Sequence, residues 1–219
     1  MVYGHRIGAA AAVGLALLGA ALAARPASAQ SFNFEELTLG SYSSVTSTQG
    51  GLSVTVTPAG PGQFTVEDTL TAIFGNRSLL NFRRNTGSGT DLILDFSSLL
   101  SSVSIQAGDF NGDADTFTLV AFSGANATGA ILGTNIVPYA ATDDIRNGIA
   151  ATLSVSAPGI QSIRLSTGVA FPGSGFYDNL RAVVQAPAPG GVVPEPGSVL
   201  LALSGLPTAA LVLRRRRKA

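Results

Sequence analysis

Between about Ser31 and Gln185 the chain alternates apolar and polar residues in short runs. Leu52-Ser-Val-Thr-Val-Thr57, Asp91-Leu-Ile-Leu-Asp-Phe96, Ser102-Val-Ser-Ile-Gln106 and Ala151-Thr-Leu-Ser-Val155 each put apolar side chains on one face and polar ones on the other. Thr116–Phe122 and Ile160–Leu165 follow the same pattern more loosely, and Phe176–Val184 reads as a last strand. Turn-forming clusters divide the runs: Pro58–Gly62, Asn85–Gly89, Asn111-Gly-Asp113 and Ala157-Pro-Gly159. Period-two alternation broken by such clusters predicts antiparallel strands. No stretch in this region keeps a helical period over three turns. The expected fold is all-β: an antiparallel two-sheet sandwich of jelly-roll type, with Thr and Ser covering its outer faces.

The pattern changes at both ends. Ile7 to Ala24 is an unbroken apolar run, preceded by His5-Arg6 and closed by Arg25-Pro26. Ala27-Ser28-Ala29 then gives the small-x-small arrangement that a signal peptidase cuts, with Ala27 and Ala29 at the specificity positions. Residues 1–29 are therefore expected to be a signal peptide taken by the Sec machinery, leaving Gln30 as the first residue. The β domain follows as 30–185. A Pro/Gly linker over 186–193 has too few packing side chains to join a core.

The remaining residues, 194–219, have three parts in a fixed order. Pro194-Glu195-Pro196 is held extended by its prolines. An apolar span over 198–213 would make a helix of roughly 24 Å, slightly short of a bilayer core of ~30 Å. Arg214, Arg215, Arg216, Arg217 and Lys218 follow as a basic anchor, and such clusters stay cytoplasmic. The orientation predicted is a β domain outside and a C-terminus inside.

Charge and composition narrow the chemistry. The formal net charge is zero, but twelve acidic residues face six arginines between Gln30 and Val193, which leaves the body at −6. An acidic body without lysine excludes the basic footprint of a nucleic-acid binder. Cysteine is absent and the one histidine, His5, lies in the leader. Ser-His-Asp and Cys-His catalysis and histidine- or thiolate-ligated metals are thereby removed from the mature chain.

The tail, Val193-Pro-Glu-Pro-Gly-Ser198 followed by the apolar span and the arginine run, resembles the PEP-CTERM sorting signal of Gram-negative bacteria. That resemblance implies recognition by an exosortase near Pro194-Glu195-Pro196. It also implies an inner-membrane intermediate held by a C-terminal transmembrane helix, then delivery to the cell surface or extracellular matrix, in company with exopolysaccharide.

Two groups of oxygen-bearing side chains are candidates for calcium. Asp109, Asn111, Asp113 and Asp115 stand at alternate positions, as in loops whose side chains converge on one hard cation, although the glycine falls at Gly112 and no acid closes the loop. A hairpin turn accounts for the same residues. The closing Phe-Tyr-Asp-Asn-Leu180 resembles the last strand of carbohydrate-binding jelly rolls, where first and last strands adjoin, and this implies a place for Glu35 and Asp178 at a structural ion. Solvated strand ends are the plainer reading.

The function expected is a non-catalytic, exported surface or matrix protein. The alternative is a carbohydrate-binding module associated with exopolysaccharide, for which Tyr42, Tyr139 and Tyr177 are the only tyrosines of the mature chain and tryptophan is absent. A glycosidase working with two carboxylates would need neither His nor Cys, but no motif nominates such a pair.

Overall fold

Two strands of 17 residues organise the domain in a computed structural model that describes residues 28–83, 88–110, 114–168 and 175–187. In chain order the strands are β1 (Ala29–Phe32), β2 (Gly40–Tyr42), β3 (Val45–Gln49), β4 (Leu52–Pro58), β5 (Phe64–Thr71), β6 (Gly75–Leu80) and β7 (Phe82–Arg83). β8 (Ser88–Gly89), β9 (Leu92–Gly108), β10 (Asp115–Gly124), β11 (Thr128–Tyr139), β12 (Ala151–Thr167) and β13 (Phe176–Val184) complete them, with one 3-10 turn at Ile145–Asn147. No α-helix occurs among the described residues, and no helix there is long and apolar enough to cross a membrane. The apolar span over 198–213 and most of the leader lie outside the described residues.

β9 and β12 pair antiparallel along nearly their whole length, and each half of β9 takes a different neighbour on its other edge. Leu92 to Phe96 pair with β4, whereas Leu100 to Gly108 pair with β13. The change of neighbour needs a corner, and the sequence supplies one. Buried positions in β9 run Leu92, Leu94, Phe96 and Leu100, then switch parity to Val103, Ile105 and Ala107. β12 slips at the same level, between Ser156 and Ile160, where Gly159 takes a left-handed φ of 85°. Strands bend and twist at such irregularities. The sequence signal Ala157-Pro-Gly159, expected to separate two strands, is thus a bulge inside one. Gln185 holds it by accepting the Gly159 N–H through Oε1 at 2.7 Å.

Eleven strands form one antiparallel sheet, in the order β11-β10-β12-β9-β13-β6-β5-β2, with β1 on β13 and β4-β3 on the first half of β9. Leu94 and Phe96 from one half of β9 and Val103 and Ile105 from the other belong to a single buried cluster, so the sheet closes over on itself. A smaller cluster of Phe74, Leu80, Ile145 and Phe176 seals one end. There Gly108 is required: a Cβ at that position would stand 2.1 Å from Cγ2 of Ile145.

Tyr177 lies fully buried in the main core, its ring edge-on to Phe117 at 6.0 Å. Its hydroxyl has no hydrogen-bond partner among the described residues, and burial drives its pKa well above the ordinary value. A buried hydroxyl without a partner costs about 1–3 kcal/mol. Tyr177→Phe is therefore expected to raise the melting temperature of the purified chain. A lowered melting point would show that the hydroxyl is satisfied in solution.

Candidate functional site

β1 pairs with β13 in the register Ala29↔Val183 to Phe32↔Leu180, so the first and last strands adjoin. The chain then turns through Phe34, which adopts φ 55°, and brings Glu35 and Glu36 over β13. Asp178 lies beneath them, only 1% exposed. It sits at a bulge: the next residue, Asn179, takes φ 52°, and pairing with β9 slips between Asp178 and Arg181. Asn179 is fixed there by its Nδ2, which donates to the Ile73 carbonyl and to Gln106 Oε1, both at 2.8 Å.

The carboxyl of Asp178 is pushed up to about 8, chiefly by burial and further by the charges of Glu35 and Glu36, against the Asn179 N–H that donates to Oδ1 at 2.6 Å. Glu35 is engaged differently. Its Oε1 accepts the N–H of Asn76 at 2.7 Å and of Arg77 at 3.1 Å, and its Oε2 accepts Asn76 Nδ2 at 3.4 Å. The Arg77 guanidinium donates to the carbonyls of Glu35 and Leu37. Glu35 is a hydrogen-bond hub that ties the turn after β1 to the start of β6.

Asp109 and Asp115 are buried at the two ends of the loop between β9 and β10. Asp109 accepts the Phe110 N–H at 2.6 Å, and Arg146 reaches the same corner, its guanidinium 5.7 Å from the centre of the Phe110 ring. Asn111 and Asp113 lie outside the described residues. Among the described residues no three carboxylates gather as a metal site would require. Ala27, Pro194, Glu195, Pro196 and the basic run from Arg214 to Lys218 also fall outside them, while Ala29 opens β1.

The outer faces of β12, β9, β13 and β1 carry a feature that the alternation alone did not single out. Ser154, Ser104, Arg181 and Ser31 stand opposite one another in a row across those four strands. Two adjoining grooves, of about 690 and 330 Å³, share Ser104 and Arg181. The larger continues past Thr152 and Gln106 to the amides of Asn33, Gln49 and Asn179, and the smaller ends at Ser102 and Ser156. No carboxylate lines either groove, and Arg181 is their single charge. The sequence signal was the Ser- and Thr-rich outer face, which was legible only as a solvated surface.

The tyrosines offer no platform. Tyr139 and Tyr177 are buried, and Tyr42 is half-buried with its hydroxyl donating to the Thr38 carbonyl at 2.6 Å.

No family model matches the sequence, and no curated protein matches it. Among solved structures the chain is similar to the K2 cleaved adhesin domain of Lys-gingipain, at 15% identity and a TM-score of 0.43, covering 72% of this chain and 99% of that domain. That likeness is too distant to carry function from one to the other.

Proposed function

We propose that the chain is an exported, non-catalytic protein of the cell surface or extracellular matrix, sorted by an exosortase through Pro194-Glu195-Pro196. The observation that carries this reading is the order of the tail: a Pro-Glu-Pro motif, an apolar span, then five consecutive basic residues. We take the closed antiparallel sheet to be a jelly-roll sandwich that serves as the displayed body. The arrangement of its ends suits display. The Ser28 carbonyl accepts the Val184 N–H at 3.0 Å, so the end of the leader and the start of the linker leave the domain together. A cut after Ala29 would free one end and leave the body on a single tether. The burial of Asp109, Asp115 and Asp178 supports a structural role for these acids over hydrolysis, which needs carboxylates open to substrate.

Glu195→Ala tests the sorting. It leaves the apolar span unchanged, so a plain membrane anchor predicts identical fractionation for wild type and variant. Sorting predicts that wild type loses Arg214 to Lys218 and reaches the surface or medium, while the variant accumulates full-length in the inner membrane. Equal behaviour in the native host would refute the assignment.

A carbohydrate-binding role is the second reading. Its usual aromatic platform is missing, and its support is the polar trough across β12, β9, β13 and β1.

A further inference from the structure

We infer that this trough is a binding site for an acidic polysaccharide, one whose sugars carry carboxylates, with Arg181 as the group that selects the charge. The inference rests on the second reading above and assigns it residues and a ligand class.

The first argument is the lining. In a body with twelve acidic residues between Gln30 and Val193, the polar side chains of the two joined grooves are hydroxyls, amides and one guanidinium, set among Phe32, Val103, Ile105 and Val183. Asp178, opposite Gln106 on β13, is the acid nearest in register, and it is buried. Hydroxyls and amides both donate and accept, so they match the mixed donors and acceptors of a sugar ring without fixing one orientation. Their placement is regular because every second residue of each strand faces outward, and the register aligns Ser154, Ser104 and Ser31 across the strands. A linear polymer lying across the strands meets such a row at successive sugars.

The second argument is Arg181. It is exposed, and among the described residues its guanidinium forms neither ion pair nor hydrogen bond, unlike Arg77, Arg146 and Arg164. Arg164 pairs with Asp91, and Arg146 with Asp144. A guanidinium binds carboxylate through two parallel N–H donors. Its neighbours in the trough are neutral, so a bound carboxylate meets no competing acid. Each groove is within the size range of small-ligand clefts, and together they are enough for a short stretch of sugars.

The test uses the purified full-length chain in detergent and two probes: oligogalacturonates, which carry a carboxylate on each sugar, and maltooligosaccharides, which carry none. Titration calorimetry is expected to show binding of the oligogalacturonate only, weakening as salt is raised. Arg181→Gln is expected to weaken it at least tenfold with an unchanged melting temperature, because the side chain is exposed and its guanidinium makes no hydrogen bond or ion pair among the described residues. Ser154→Tyr, which fills the smaller groove beside Arg181 while keeping that residue, should weaken binding at least tenfold as well. If Arg181→Gln also lowers the melting point, the Ser154→Tyr result decides. Absence of binding by the wild type, equal binding of both probes, or binding indifferent to both substitutions would overturn the assignment. None of these outcomes depends on the tail, so a failure here and a failure of the Glu195→Ala test are separate.

Discussion

Asp178→Asn is expected to make the domain more stable at pH 9 by about 5 kcal/mol and to flatten its dependence on pH. The carboxyl of Asp178 is pushed up to about 8 in the folded domain, from an ordinary 3.8, by burial and by the charges of Glu35 and Glu36. Between these two values the folded chain holds a proton that the unfolded chain has released. The unfolded state binds fewer protons there, so stability falls as pH rises, by roughly 1.4 kcal/mol for each unit. The contribution is complete below about pH 4 and lost by about pH 8. Asparagine keeps the acceptor used by the Asn179 N–H and never ionises. Urea denaturation at pH 5, 7 and 9 should show the two proteins close together at pH 5 and furthest apart at pH 9. Parallel pH profiles would mean that Asp178 ionises freely in the folded state.

Glu35→Ala is expected to cost about 2–3 kcal/mol, because two backbone N–H groups and one side-chain amide lose an acceptor in a partly covered site. Asn76 and Arg77 should then exchange their amide hydrogens faster, while amides in β9 and β12 keep their protection relative to the lower global stability. Gly75 explains why no simple repacking fills the gap. It adopts φ 67°, and a Cβ there would lie 2.3 Å from Glu35 Oε1, so the backbone has closed around the carboxylate. Glu35→Gln retains one acceptor and removes the charge. It should lose less stability than the alanine variant and also lower the midpoint of the Asp178 titration. A Gln variant with the wild-type pH profile would show that the Glu35 charge does not help to set that midpoint.

Much of the sheet was legible in the alternation. Leu52–Thr57 and Phe176–Val184 became β4 and β13 with nearly the expected bounds, because each buries one face and exposes the other. Asp91–Phe96 and Ser102–Gln106 were expected as two strands and are one, since the parity switch at the corner looks like a break when only periodicity is read. β11 escaped notice for a different reason. It is an edge strand with Ile131 and Ile136 both exposed and with Gly129, Gly133 and Pro138 along it, so its pattern does not alternate. Of the candidate acids, Glu35 and Asp178 do come together, as the adjoining first and last strands implied. The burial of Asp178 was not legible, because it follows from a turn folding over β13 and leaves no local trace. The trough was invisible for a related reason: Ser31, Ser104, Ser154 and Arg181 are far apart in the chain, and only the register aligns them.

The place of β13 has a mechanical consequence. A tether of the proposed kind, leaving after Val184, would pull this strand along its own axis, and the strand is flanked by β9 on one side and by β1 and β6 on the other. Antiparallel ladder bonds run perpendicular to the strand. A pull of this kind loads them together, in shear, where a pull at right angles would open them one at a time. A body anchored at one end and held by a polymer on the face of the same strand would transmit force through β13, and Gln185, bonded to the Leu99 carbonyl and to the Gly159 N–H, would carry part of it into the corner between the two halves of β9.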